Sequence, residues 1–353
     1  MIRLPPLPTI QEIIRIYGLS ARKKLSQNFL LDLNLTRKII KTAGNLKDCC
    51  VVEVGPGPGG LTRSILNTEV EKLIVIEKDG RFVPSLEILS DASHGRMKII
   101  QGDILGFDMS DVVPPEYTCQ WQDNTPNIHV IGNLPFSVST PLIIRWLNSI
   151  STQSNLWSRG RAAMTLTFQK EVAERIIAPP RSEYRCRLSV MCQYLCNVSL
   201  KFSIPGKAFV PPPKVDVGVV KFVPRREPLI RQSFALVERM NRHLFHHPNK
   251  FCFKSLGTLF PPDREDLIWT MVELSGVDAQ IRPFELTNEQ VGQLCNAYAT
   301  IIGQEPDILT YEFRSQKSAK ERRQKVTKVL ALEQRLLSSS FPNENIDSEK
   351  DQR

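Results

Sequence analysis

Four short apolar runs limit what this chain can fold into: CCVVEVG (49–55), KLIVIEK (72–78), MKIIQGD (97–103) and NIHVIGN (127–133). Leu61, Ile65 and Leu66 form a helical face between the first two, and Phe82, Leu86 and Leu89 form one between the next. Near-continuous apolar strands separated by helices suit a parallel sheet, because each crossover lays a helix on the sheet and both faces end up buried. The expected class is therefore α/β, doubly wound. MTLTF (164–168) is a fifth strand that runs into a helical KEVAERII. SLKFSIP (199–205) and VGVVKFV (217–223) make a closing antiparallel pair joined by the proline-rich AFVPPPKVD.

After PRREP (224–228) the pattern turns helical with Pro and Gly breaks, as far as about Gly303. Four regions are expected: an N-terminal helix or targeting segment (1–24), the α/β domain (25–228), a smaller all-helical domain (229–313), and a basic helical tail with a disordered end (314–353). Ile10, Ile13, Ile14 and Tyr17 share one helical face ahead of Arg22-Lys23-Lys24, which suits a transit peptide. Thr9-x-x-Glu12 is equally a capping box, the mark of a helix built into a fold.

The net charge of +9 is unevenly placed, with eight Lys/Arg in residues 314–335 against Glu321 and Glu333. That tail either contacts RNA phosphates or is a solvated face, and Arg225, Arg226 and Arg231 form a second candidate patch. The eight cysteines contain no Cys-x-x-Cys and read as buried or free thiols in a reducing compartment, with Cys192 and Cys196 at helical spacing. The His243, His246, His247 and Cys252 cluster fits no zinc spacing, so no metal is expected. No apolar run is long enough for a membrane helix.

Ligands of open α/β sheets bind beyond the carboxyl ends of the strands, and each run here ends in a chemically useful residue. The first ends in Gly55-Pro-Gly57-Pro-Gly59-Gly60, the second in Glu77, the third in Asp103 and the fourth in Asn133-Leu134-Pro135-Phe136. The glycines fit the dinucleotide fingerprint and also a loop that lets backbone approach a nucleoside. Pro56 and Pro58 remove N–H groups that a pyrophosphate would need, which favours a nucleoside without phosphates. Glu77 suits ribose hydroxyls, and Asp103 can accept from an adenine amine. Asn133 Oδ1 and the Leu134 carbonyl can accept both N–H groups of a second adenine amine, freeing its lone pair for attack. Pro135 aims them and Phe136 offers a stacking face. A nicotinamide oxidoreductase would use the glycines but leaves Asn-Leu-Pro-Phe unexplained.

Asn-Leu-Pro-Phe after such a loop resembles the ribosomal RNA adenine N6,N6-dimethyltransferases. The likeness extends over LSQNFLLD (25–32), VVEVGPGPGGLTRSIL (51–66), IGNLPFSVSTPLI (131–143), LTFQKEVAERI (166–176), RLSVMCQYL (187–195) and IPGKAFVPPPKVDVGVV (204–220). RLPPLPTI and the wording of these segments are most similar to the mitochondrial branch of that family. The resemblance implies a Rossmann-like S-adenosylmethionine-dependent methyltransferase domain with a smaller all-helical C-terminal domain. It implies S-adenosyl-L-methionine as cofactor, and as target two adjacent adenines in a hairpin loop near the 3′ end of small-subunit ribosomal RNA. By matching position, Gln27, Asn28, Leu30, Gly55, Gly57, Glu77, Lys78, Asp103, Ile104 and Asn133 would hold the cofactor. Phe209 would stack on the target base opposite Phe136. The small ribosomal subunit is the implied partner, the mitochondrial matrix the implied compartment, and a monomer the implied state. The alternative is a non-catalytic nucleic-acid-binding assembly factor, or a partner of the mitochondrial transcription machinery.

Overall fold

The structure, a computed structural model, describes residues 4–22, 27–124 and 126–313. The basic tail from Arg314 onward lies outside the described residues. The strands are β1 (Phe29–Leu30), β2 (Cys50–Val54), β3 (Lys72–Glu77), β4 (Met97–Gln101), β5 (Ile128–Gly132), β6 (Ala163–Gln169), β7 (Cys196–Ile204), β8 (Phe209–Val210) and β9 (Val217–Pro224). The helices are α1 (Ile10–Ile16), α2 (Leu33–Ala43), α3 (Gly60–Leu66), α4 (Val83–Asp91), α5 (Phe136–Ser151), α6 (Lys170–Ile177), α7 (Arg187–Leu195), α8 (Phe234–Leu244), α9 (Cys252–Leu256), α10 (Asp266–Ser275) and α11 (Asn288–Gln304).

Seven strands form one sheet in the order β4-β3-β2-β5-β6-β9-β7. β4 through β6 are parallel, and β9 and β7 close the sheet antiparallel as the sequence leads one to expect. The central strands are buried over almost their whole length, only Lys72, His129 and Gln169 being partly exposed, which explains their largely apolar sequence. Alternation along them sends Val51, Leu73, Val75, Ile131 and Val219 into one cluster with Ile39, Ile40, Leu61, Ile65 and Leu86 from α2, α3 and α4. Strand order reverses between β2 and β5, the place where loops part to leave a crevice. The two-residue antiparallel pair β1·β8 was not legible in the sequence; it sets Leu30 opposite Phe209.

α1 is packed into the fold: Ile10 and Ile13 are buried, and Ile13 belongs to the main cluster. Its capping box is formed, with Glu12 N donating to Thr9 Oγ1 at 3.2 Å and Thr9 N donating to Glu12 Oε2 at 2.7 Å. Cys196 opens β7, so it does not share a helix with Cys192 as their spacing suggests.

The described residues divide into two compact units, the first within 4–241 and 284–292, the second within 242–283 and 293–313. This differs from a boundary at residue 228, because apolar anchors continue beyond it. Val237 and Met240 are fully buried, Asn241 Nδ2 sits 3.6 Å from Met191 Sδ in α7, and Ile230 packs beside Gly292. The returning stretch 284–292 is held by buried Arg185, which donates to Leu286 O at 3.0 Å and Asn288 Oδ1 at 2.9 Å. In the second unit the regular elements of the described residues are helices, around Leu256, Phe260, Met271, Cys295 and Tyr298. Arg264 there is shared between Glu305 and Asp266.

Candidate active site at the strand carboxyl ends

Val54 of β2 pairs with Gly132 of β5, so the glycine loop and Asn133-Leu134-Pro135-Phe136 leave the sheet side by side at the point where strand order reverses. Between them lies a cleft open to solvent. Its lining includes Gln27, Asn28, Leu30, Gly55, Gly57, Glu77, Asn133, Leu134, Pro135, Phe136 and Phe209. Eleven of the fourteen candidate site residues thus meet around one cleft.

The loop after β2 turns sharply because Gly55, Gly57 and Gly59 all take positive φ, at 67°, 54° and 89°. A Cβ on Gly55 would meet nothing within 4 Å, so the backbone there borders open space. Gly60 is required for a different reason: its Cβ would lie 2.7 Å from the Leu30 carbonyl oxygen, so α3 could not approach β1.

Glu77 closes one side. Its Oε2 accepts from Gly57 N at 3.0 Å and its Oε1 from Asp79 N at 2.8 Å. Burial raises its pKa, and these two backbone donors offset only part of the rise. Both oxygens keep a lone pair, the acceptor set that two vicinal hydroxyls require. Asp79, missed in the sequence, is held at about 2 chiefly by hydrogen bonds from Arg81. It accepts from Gln27 Nε2 at 3.2 Å and so ties the QNFL segment to the cleft. Beneath the cleft, Glu53 is fully buried in β2, and among the described residues neither of its oxygens has a partner at normal hydrogen-bond geometry. Burial pushes its carboxyl up to about 8; neighbouring Thr62 offsets part of the rise and the charge of Glu77 adds to it.

Asn133 is half-buried, with Nδ2 donating to Asn28 O at 3.2 Å and Oδ1 accepting from Thr167 Oγ1 at 2.8 Å. Phe136 is half-buried, whereas Phe209 is 2% exposed and belongs to the main cluster, so the more accessible aromatic face is that of Phe136.

Lys78, Asp103 and Ile104 lie outside the cleft lining. Lys78 directly follows Glu77 at the end of β3, whereas Asp103 and Ile104 stand one strand farther out: β4 is the edge strand and Asp103 follows it by two residues. Asp103 Oδ2 takes Lys78 Nζ at 2.6 Å and its Oδ1 takes Leu105 N at 3.1 Å, contacts that lower its pKa. Ile104 is buried beside them.

The arrangement offers a nucleoside cradle on one side of the cleft and an amide acceptor with an aromatic face on the other. The model of the family described as "Ribosomal RNA adenine dimethylase" matches residues 18–300. The mitochondrial dimethyladenosine transferase 1 of Bos taurus is 51% identical over 323 residues, covering 90% of this chain and 95% of that protein. Among solved structures, a dimethyladenosine transferase from Plasmodium falciparum superposes with a TM-score of 0.59 at 21% identity, covering 78% of this chain and 97% of that one. The 23S rRNA methyltransferase ErmE superposes with 0.55 at 23%, covering 76% and 99%. Those two show the fold, a Rossmann-like sheet; the matched span and the identity to the bovine protein decide the family. The chain belongs to the ribosomal RNA adenine dimethylases.

Proposed function

We propose that this protein uses S-adenosyl-L-methionine to dimethylate N6 of two adjacent adenines in the 3′-terminal hairpin loop of mitochondrial small-subunit ribosomal RNA. The observation that carries this reading is the placement of Asn133 Oδ1 on the same cleft as Glu77, across the point where strand order reverses. The residues fit the cofactor. Buried Glu77 keeps acceptors for ribose hydroxyls, and the open side of Gly55 leaves room for the rest of the nucleoside. When bound, the cofactor supplies a methyl group activated on a sulfonium.

The chain's own residues do the remainder. Asn133 Oδ1 and the Leu134 carbonyl accept the two N–H groups of the target amine, so its lone pair is no longer delocalised into the ring. Phe136 stacks on the base, repaying part of the cost of flipping it out of a loop; such stacking is worth about 1–3 kcal/mol. In the same reading Lys78, Asp103 and Ile104 hold the cofactor's adenine at the outer rim, and Phe209 meets the base from below. Several relatives are named as mitochondrial proteins, which supports the compartment. The finer reading places the protein in the matrix, acting as a monomer on the small ribosomal subunit, with 1–24 as the N-terminal segment of the catalytic domain.

The test combines purified protein, methyl-labelled cofactor and an RNA hairpin with two adjacent loop adenines, with Asn133→Ala run in parallel and product nucleosides separated. Dimethyladenosine from the unaltered protein alone is expected. Cofactor binding without transfer, on the hairpin and on small subunits alike, would refute catalysis and leave a binding role in assembly or transcription.

A further inference from the structure

An asparagine that must act as an acceptor has one weakness. Rotated by half a turn about its last bond, it presents N–H groups to the substrate's own N–H groups and repels them. The surroundings of Asn133 deal with this directly. The Asn28 backbone carbonyl can only accept, so the atom 3.2 Å from it must be the amide nitrogen. That leaves the oxygen towards Thr167, whose hydroxyl lies 2.8 Å away and donates to it. Thr167 is fully buried, and the register explains its position: Leu166 pairs with Gly132, so Thr167 and Asn133 follow side by side where β6 and β5 approach the cleft. It is flanked by the buried Leu166 and Phe168, and its polar atom is spent on the cleft amide.

We propose that Thr167 is a positioning residue: together with the Asn28 carbonyl it locks the Asn133 amide so that the second lone pair of Oδ1 faces the target amine. The two contacts differ in role. The carbonyl decides which end of the amide is which, and the bond it accepts polarises the amide and makes Oδ1 a better acceptor. The hydroxyl fixes the plane of the amide and leaves one lone pair free. The inference rests on the methyltransferase reading above.

The experiment compares Thr167→Val, which keeps the shape and loses the hydroxyl, with Thr167→Ser, which keeps the hydroxyl. Single-turnover methylation of the hairpin is measured with cofactor and RNA saturating, cofactor affinity by calorimetry, and thermal unfolding on the same samples. Thr167→Val should transfer at least about tenfold more slowly, with cofactor affinity and RNA half-saturation within about twofold of the unaltered protein, while Thr167→Ser stays within about threefold in rate. If Thr167→Val does not fold, Thr167→Ala set against Thr167→Ser makes the same comparison without the branched methyl. Equal losses in the variants with and without a hydroxyl, or a rate loss that follows a loss of cofactor affinity, overturn the positioning role. So does full activity in Thr167→Val. Absence of product from the unaltered protein is a different failure: it removes the methyltransferase reading itself.

Discussion

Replacing Glu53 by Gln should change how the stability of the first unit depends on pH. The Glu53 carboxyl is fully buried, and its pKa is pushed from 4.5 up to about 8. Between those values the folded protein holds a proton that the unfolded chain releases, so the unfolded state gains as pH rises. The contribution of Glu53 is therefore fully favourable below 4.5, falls by about 1.4 kcal/mol per pH unit, and stops falling above about 8. From pH 5 to pH 7.5 the unaltered protein should lose about 3 kcal/mol relative to Glu53→Gln. The amide has its own cost as a buried donor, about 1–3 kcal/mol, but that cost does not depend on pH and cancels in the difference. Urea unfolding at several pH values measures the gap. The fluorescence of Trp146 and Trp157, buried in the first unit with ring centroids 5.9 Å apart, reports the transition. A gap that is the same at pH 5 and pH 7.5 would refute the reasoning, for it would mean that Glu53 is ionised in the folded protein at neutral pH.

Glu77→Gln turns an amide N–H toward one of the backbone donors Gly57 N or Asp79 N, so cofactor affinity should fall about 10- to 100-fold by calorimetry; unchanged affinity would show that the ribose is held elsewhere. Gly60→Ala places a Cβ 2.7 Å from the Leu30 carbonyl oxygen and should cost about 1–3 kcal/mol in urea unfolding. Arg185→Ala removes buried donors to Leu286 O, Ala178 O, Gln193 Oε1 and Asn288 Oδ1. It should cost about 3 kcal/mol or more, read as a lower urea midpoint.

Much of the sheet was legible because each core strand is buried on both faces and stops where a loop begins. Val54 and Gly132 end neighbouring strands, so the last apolar residue of each run also marked the rim of the cleft. Less could be read where function depends on adjacency across strands. Thr167 reads as one more strand residue in MTLTF until the β5·β6 register sets it beside Asn133. Asp79 looks like a solvated turn acid until Gln27 arrives from a segment 52 residues away in sequence. Asp103 shows the opposite limit. Position at a strand end pointed to the cleft, but an edge strand ends farther from the place where strand order reverses, and a lysine next to Glu77 takes up its outer oxygen. The compact units divide elsewhere than at residue 228 for a related reason: PRREP changes the composition, whereas Ile230 and Val237 continue the packing beyond it.

The pairing of Phe29–Leu30 with Phe209–Val210 also bears on how the molecule is made. During synthesis the glycine loop, Glu77 and Asn133 emerge early, but one wall of their cleft is still inside the ribosome. β9 lies between β6 and β7, so the sheet itself cannot finish until Pro224 has emerged. Contacts this distant along the chain form late and slowly. A nascent chain therefore carries every acceptor for the reaction without a site to use them in, and competence should appear only after Pro224 has emerged.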